Sequence, residues 1–312
     1  MRVLLAGATG TIGRAARTEL GLRGHAVTAL LRVGSVDPSE LPATYEDPTA
    51  LAETVGAAGP FDAVLSCLAS RTGQTADAWA VEYEAQSALL NAARKAGTPR
   101  FVLLSAICVQ KPRLAFQHAK LAFEAELQAS DLSWSIVRPT AFFKSLSGQV
   151  LRVASGKPFL VFGNGLLTAC KPISDEDLAR YLVDLIEEPA RAGKIHTVGG
   201  PGPAITPADQ AAMLGELLGR PVPLRRVPPT LLSIIAATLG AAGRIRPRLA
   251  ERAELARIGH YYATESMLVW DAAAGRYDAD ATPEFGQDRL QDHYARVLAG
   301  TTEIDLGAHG FF

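Results

Sequence analysis

Apolar residues fall along this chain in two alternating rhythms. Short unbroken runs read as strands, and between them lie longer stretches with apolar residues on one face, as in helices. The first run, Val3 to Ala6, reads as a buried parallel strand. Gly7, Gly10 and Gly13 follow at intervals of three, and then Arg14 to Leu20, good helix formers with one apolar face. His25 to Leu31 reads as the second strand. Tyr45-Glu46-Asp47 reads as a short third strand ahead of a helix over Pro48 to Val55. Phe61 to Cys67 is the fourth strand, and Ala76 to Lys95 a long helix stopped by Gly97 and Pro99. Arg100 to Ser105 is the fifth strand, a helix runs through Phe116 to Gln128, and Trp134 to Arg138 is the sixth strand. This alternation predicts an α/β fold of Rossmann type, a doubly wound parallel sheet.

Beyond residue 150 the rhythm loosens. Ser174 with Asp177, and Thr206-Pro207 with Asp209, read as helix starts, and Lys194 to Val198 reads as a strand. The expected organisation is a dinucleotide-binding domain over 1–150, with elements to about 200 returning to it. A smaller, mainly substrate-binding region over 151–312 follows. Leu231 to Ala242 is apolar nearly all round, and the basic Gly243-Arg244-Ile245-Arg246-Pro247-Arg248 comes after it. The pair reads as a substrate lid, as a face for peripheral membrane contact, or as a core helix with a solvated basic loop.

The charge of the 312-residue chain changes the picture little: 31 Lys and Arg against 32 Asp and Glu. That balance removes the electrostatic reason to expect nucleic acid as a partner. Cys67, Cys108 and Cys170 form no CxxC pair, which fits a reduced, cytoplasmic protein. The first strand begins so early that no signal peptide is expected. The apolar stretch from Leu231 to Gly243 is too short to span a bilayer.

The candidate chemistry starts at the glycine turn. Strand, turn and helix start together suit a dinucleotide pyrophosphate, with Gly7, Thr9, Gly10, Thr11, Ile12 and Gly13 as its cradle. The second strand ends at Arg32, with no acid before Asp37, which points to the 2′-phosphate of NADPH. Cys67, Leu68 and Ala69 end the fourth strand, where they would border the cofactor; Cys67 reads as a small buried residue. Ser105 ends the fifth strand, and the next helix carries Phe116 and Lys120. A serine there, with Tyr-x-x-x-Lys on the helix, is the layout of the short-chain dehydrogenase/reductases, which this chain resembles in their atypical branch. Lys120 matches the lysine, whose role would be to hydrogen-bond the nicotinamide ribose. Phe116 stands where the tyrosine would be, and a phenyl ring has no proton to give. The loop Pro139-Thr140-Ala141-Phe142-Phe143-Lys144 follows the sixth strand. By the same resemblance Pro139, Thr140 and Phe142 would lie against the nicotinamide.

Several strings narrow the resemblance: SCLASR from Ser66, FVLLSAICVQKP from Phe101, FQHAK from Phe116, IVRPTAFFKSL from Ile136, ACKPIS from Ala169, GGPG from Gly199 and YYATESML from Tyr261. Together they resemble the NADPH-dependent divinyl chlorophyllide 8-vinyl reductases of chlorophyll and bacteriochlorophyll synthesis, a family that also carries phenylalanine where Phe116 sits. Its plant members have a plastid-import extension that this chain lacks, which suggests a bacterial protein. The resemblance implies reduction of the C8 vinyl group of a magnesium tetrapyrrole to ethyl. No alkoxide forms in that reaction, so a tyrosine acid is not demanded. Ser105, Cys108 and Lys111 are the candidate proton sources. Phe116, Phe142, Phe143 and the helix from Leu231 are candidate walls for the macrocycle. Lys144 or Arg244 to Arg248 would pair with its propionate, and His260 or Tyr262 is a candidate axial ligand of its magnesium; no metal site of the protein's own is expected. Two other readings stand beside this one: a non-catalytic NADPH-binding redox sensor or assembly factor, and a reductase of a quinone or enone.

Overall fold

The computed structural model describes residues 1–31, 40–243 and 246–302. Arg32, the expected 2′-phosphate ligand, lies outside them, as do Arg244 and the third-strand neighbour Asp37. In chain order the elements are β1 (Arg2–Ala6), α1 (Thr11–Leu22), β2 (Ala26–Leu31), β3 (Glu40–Pro42), α2 (Pro48–Ala58) and β4 (Ala63–Ser66). Next come α3 (Thr75–Ala78), a π-helical turn (Trp79–Glu84), α4 (Ala85–Lys95), β5 (Arg100–Leu104), a 3-10 turn (Ile107–Gln110), α5 (Ala115–Gln128) and β6 (Ser133–Pro139). After these follow α6 (Phe143–Leu146), α7 (Val150–Ala154), β7 (Phe159–Phe162), α8 (Asp175–Glu187), β8 (Lys194–Val198), α9 (Pro207–Leu218) and β9 (Leu224–Val227). The chain continues as α10 (Thr230–Gly243), α11 (Pro247–Thr264), β10 (Val269–Asp271), β11 (Arg276–Asp278) and α12 (Leu290–Leu298).

The chain divides into two compact units. The first holds Met1–Arg71, Thr75–Pro139 and Asp175–Thr197. Its seven-stranded sheet has the order β3-β2-β1-β4-β5-β6-β8, and the pairs from β3 to β6 run parallel. Buried side chains fill β4 throughout, and β1 and β5 after their first residue, as strands covered on both faces require. Leu4, Val64, Phe101 and Ile136 point to the face covered by α2, α4 and α5, where they meet Leu51, Leu89 and Phe123. On the other face α1 packs against α8. Arg23 locks that pair: its guanidinium lies 2.7 Å from the carboxylates of Glu19, Asp184 and Glu187.

Two local expectations fail for clear reasons. The third strand is Glu40–Pro42, paired with Ala29 to Leu31, and not Tyr45 to Asp47. Asp47 is committed to the next helix, where its Oδ1 accepts from the N–H of Thr49 and Ala50 at 3.1 and 3.0 Å. The long helix expected over Ala76 to Lys95 is interrupted by the π turn at Trp79–Glu84, which re-aims its side chains.

The second unit holds Thr72–Gln74, Thr140–Ser174 and Val198–Phe312. Its strands form two small sheets, parallel β7-β9 and antiparallel β10-β11. Tyr294 is fully buried at its centre, with its hydroxyl 2.8 Å from the carbonyl of Leu146 and 3.1 Å from Gln210 Oε1. Helices α10 and α11 pack on each other, and a side chain at Gly243 would meet Ala250 backbone at 2.7 Å. Ala236 is the buried residue of α10, so the core-helix reading of Leu231 to Ala242 does not hold.

Two glycines of α1 should respond oppositely to alanine. At Gly13 the new Cβ would sit 2.0 Å from the carbonyl oxygen of Gly7, and at Gly21 it would meet nothing within 4 Å. Gly13→Ala is expected to destabilise by about 3 kcal/mol or more, and Gly21→Ala to stabilise by roughly 0.5–1 kcal/mol. Urea unfolding of the two variants reads the difference.

Candidate active site

The carboxyl ends of β1, β4 and β5 in the first unit lead into the glycine turn, Cys67 and Ser105, three of the places singled out from the sequence. At the end of β1 the chain turns on Gly7, whose φ of +78° is left-handed. A Cβ there would lie 2.5 Å from the carbonyl carbon and oxygen of Cys67, so the glycine lets two backbones touch. Gly10 N donates to Gly7 O at 3.0 Å, and Gly10 caps α1 with no side chain. The starts of α2 and α9 are closed by Asp47 and by Thr206, but that of α1 is closed by no side-chain cap and has no acid in its first turn. Its positive dipole end is open to an anion. Gly7, Thr9, Gly10, Thr11, Ile12 and Gly13 therefore fit a pyrophosphate, on the chemistry of the donors present. Cys67 is buried, and burial pushes its thiol up to about 12, so it offers backbone and not a thiolate. Leu68 is partly buried and Ala69 exposed beside it.

Beyond the glycine turn the structure places two buried carboxylates that sequence reasoning missed. Glu82, in the π turn, is 3% exposed. Its Oε1 accepts from the Ser70 N–H at 2.8 Å and from the Ser70 hydroxyl at 2.9 Å. Its Oε2 accepts from Lys120 Nζ at 2.7 Å. The expected cofactor lysine is thus held by an acid on a different helix. Glu124, one turn after Lys120 on α5, is 1% exposed. It accepts from Ser105 Oγ at 2.5 Å, from Arg138 Nε at 3.2 Å and also from Arg138 Nη2. Glu82, Gln86, Ser105 and Lys120 line one recess. The identity of Glu82 carries no local signal, and Lys120 with Glu124 reads from sequence as a solvent-exposed i,i+4 pair. Only the turn of α5 toward β5 and β6 sends Glu124 inward.

The loop after β5 is held by Gln117. Its Oε1 accepts from the N–H of Arg113 and Leu114 at 2.7 and 3.0 Å, and its Nε2 donates to the carbonyl of Cys108 at 3.1 Å. Cys108 is buried, Lys111 is partly buried, and Phe116 is 9% exposed in the position the superfamily gives to tyrosine.

The comparisons with known proteins agree with one another. A family model described as NAD(P)H-binding matches residues 7–189. A divinyl chlorophyllide a 8-vinyl-reductase of rice (Oryza sativa subsp. indica), named as chloroplastic, is 45% identical, with 99% of this chain and 82% of that protein covered. The chain belongs to the divinyl chlorophyllide a 8-vinyl-reductase family. A photosystem II assembly factor Ycf39 from Synechocystis is a more distant likeness, 27% identical over 64% of this chain and 63% of its own. Among solved structures, MoeE5 in complex with UDP-glucose and NAD superposes with a TM-score of 0.68 at 18% identity, covering 96% of this chain and 98% of that one. That likeness bears on the Rossmann-type fold alone.

The candidate residues fall in both units. Pro139 ends the first unit; Thr140, Phe142, Phe143, Lys144 and His260 belong to the second. Thr140 N donates to Val198 O at 2.9 Å, and its hydroxyl donates to the carbonyl of Lys171. Phe142 is partly buried and caps α6. Phe143 is 3% exposed with its ring 5.5 Å from that of His293, so it is core and offers no free face to a macrocycle. Lys144 and His260 are partly buried. Among the described residues, no cluster of His, Cys, Asp or Glu could hold a metal ion.

Removing the Glu124 carboxylate strands Arg138 and Ser105. Glu124→Ala is expected to destabilise by about 3–5 kcal/mol, the cost of breaking a buried ion pair from one side. Chemical denaturation of the variant beside wild type measures it.

Proposed function

We propose that this protein reduces the C8 vinyl group of divinyl chlorophyllide a, or its protochlorophyllide precursor, to ethyl with NADPH. The observation that carries the reading is Phe116 one helical turn before Lys120, whose ammonium donates to Glu82 at 2.7 Å, in a chain 45% identical over nearly its whole length to a named 8-vinyl-reductase. A carbonyl reductase needs an acid at that tyrosine position, and a vinyl reductase does not.

Bound NADPH would supply a hydride to the terminal vinyl carbon, and the conjugated macrocycle would spread the electron pair left at the inner one. The glycine turn and the open end of α1 would hold the pyrophosphate, and Arg32 the 2′-phosphate. Lys120 would reach the nicotinamide ribose, with Glu82 setting the place of its ammonium. The work of these groups is orientation and exclusion of water, which hold reacting atoms about 3–3.5 Å apart. Of the three candidate proton donors, Ser105 is the weakest, because its hydroxyl already donates to the Glu124 carboxylate. Ionising it there would set two negative charges side by side. Cys108 is buried, at 2% exposure. Lys111 is the donor we favour, reloaded from solvent. We assign the dinucleotide to the first unit and the pigment to the second, with Phe142 and Lys144 on its side. His260 is the candidate axial ligand of the substrate's magnesium. We place the protein in the bacterial cytoplasm, because three buried cysteines outside any disulfide fit a reducing compartment.

NADPH oxidation measured with and without divinyl chlorophyllide, beside the pigment's absorption shift, tests the reading. Turnover should require both. Lys120→Ala paired with Glu82→Gln, so that no carboxylate is stranded, should lower kcat/KM about a hundredfold. A protein that binds the dinucleotide but leaves the vinyl group intact would sink the proposal in favour of a non-catalytic role.

A further inference from the structure

The helix α10 lies on the surface of the second unit with an apolar side outward. Leu232, Ala236, Leu239, Gly240 and Gly243 recur at helical spacing and are buried or partly buried. They face α11: a Cβ on Gly240 would touch Arg257 and Ala253, and one on Gly243 would touch Ala250. The opposite side carries Leu231, Ile234 and Ile235, exposed by 46, 60 and 36%, with Thr238, Ala241 and Ala242 beyond them. Thr238 turns its hydroxyl back onto the carbonyls of Ile234 and Ile235, at 2.9 and 3.0 Å, so its polar group does not require water. The helix has no charged residue.

Charge around it is one-sided. From Leu217 to Ala250 the chain has six arginines and no aspartate or glutamate, although its net charge is −1. Among the described ones, Arg225 and Arg226 on β9 and Arg246 after α10 are exposed, while Arg220 is tied to the carbonyl of Val153 at 2.8 Å. Glu251 ends the acid-free stretch, and Glu254 is paired with Arg257 at 2.7 Å.

We propose that the outward side of α10, with Arg225, Arg226 and Arg246 at its two ends, docks the protein onto an anionic lipid surface. The inference goes beyond the vinyl-reductase reading and does not rest on it. The helix would lie in the plane of the interface, its isoleucines among the upper acyl chains and the arginines at headgroup level. At 14 residues it is too short to cross, and among the described residues no helix is long and apolar enough to do so. Charge selects the occupant. A second copy docking by two-fold symmetry would set the same arginine-rich, acid-free segment against itself. An anionic bilayer meets both halves of the feature, the apolar side and its basic ends.

Flotation of the intact protein with pigment-free vesicles tests this. Vesicles of phosphatidylcholine alone are compared with vesicles containing about a third phosphatidylglycerol, at low and at roughly 0.5 M salt. The protein should float with the anionic vesicles alone and be released by salt. Ile234→Glu should lower partitioning at least tenfold, and Arg225→Glu with Arg226→Glu by about fivefold or more per arginine. NADPH affinity and Tm should stay at wild-type values, which keeps misfolding out of the result. Equal, weak binding to both vesicle types would overturn the proposal, as would an Ile234→Glu variant that floats like wild type. So would a dimer in solution that Ile234→Glu dissociates, or loss of chlorophyllide affinity in that variant with vesicle binding unchanged.

Discussion

A carboxylate taken out of water must be met from every side, and two such groups, Glu82 and Glu124, tie together the carboxyl end of the parallel sheet. Glu82 gathers the loop after β4, through Ser70, and α5, through Lys120. Glu124 gathers the ends of β5 and β6, through Ser105 and Arg138. Each acid has one charged and one neutral partner residue, and both of its oxygens accept a hydrogen bond, so its desolvation is offset by bonds it cannot easily lose. The elements that present the glycine turn's neighbours are thereby fixed before any ligand arrives.

The same pairs explain how a familiar scaffold can serve a different reduction. With Phe116 in place of an acid, the helix α5 retains Lys120 and loses the group that would protonate an alkoxide. Ser105, whose hydroxyl could support that acid, is instead turned to Glu124. What remains is a device for holding a dinucleotide and excluding water, which suits a substrate whose own conjugation accepts charge. At α1 a glycine caps the helix start, with no side chain over its N–H groups and no acid in the first turn, which leaves that end to an anion.

The second unit follows a different economy. Its small sheets bury little on their own, and polar groups are sunk among the buried apolar side chains of its helices and loops. Tyr294 bonds Leu146 and Gln210, and Lys171 meets Glu284 at 2.6 Å and the carbonyl of Thr282 at 3.3 Å. Against that background α10 is an outlier, apolar on the side turned away from α11 and bare of charge over its length.

The sequence by itself determined β1, β4 and β5, because runs buried on both faces are apolar without a break, and it placed β2 and β6 from shorter apolar runs between polar residues. It determined the glycine turn too, since Gly7 and Gly13 stand where backbone meets backbone and no other residue fits. It also determined the exchange at Phe116, which needs no coordinates to read. Tertiary structure decided the rest. Asp47 serves as cap and not as strand because the N–H groups of α2 reach it. Phe143 is core and Phe142 is not, though they are neighbours of one type. Above all, a glutamate four residues after a lysine looks solvated in any one-dimensional reading. Its burial depends on Ser105 and Arg138 arriving from two other strands, and no local pattern carries the meeting of three distant segments.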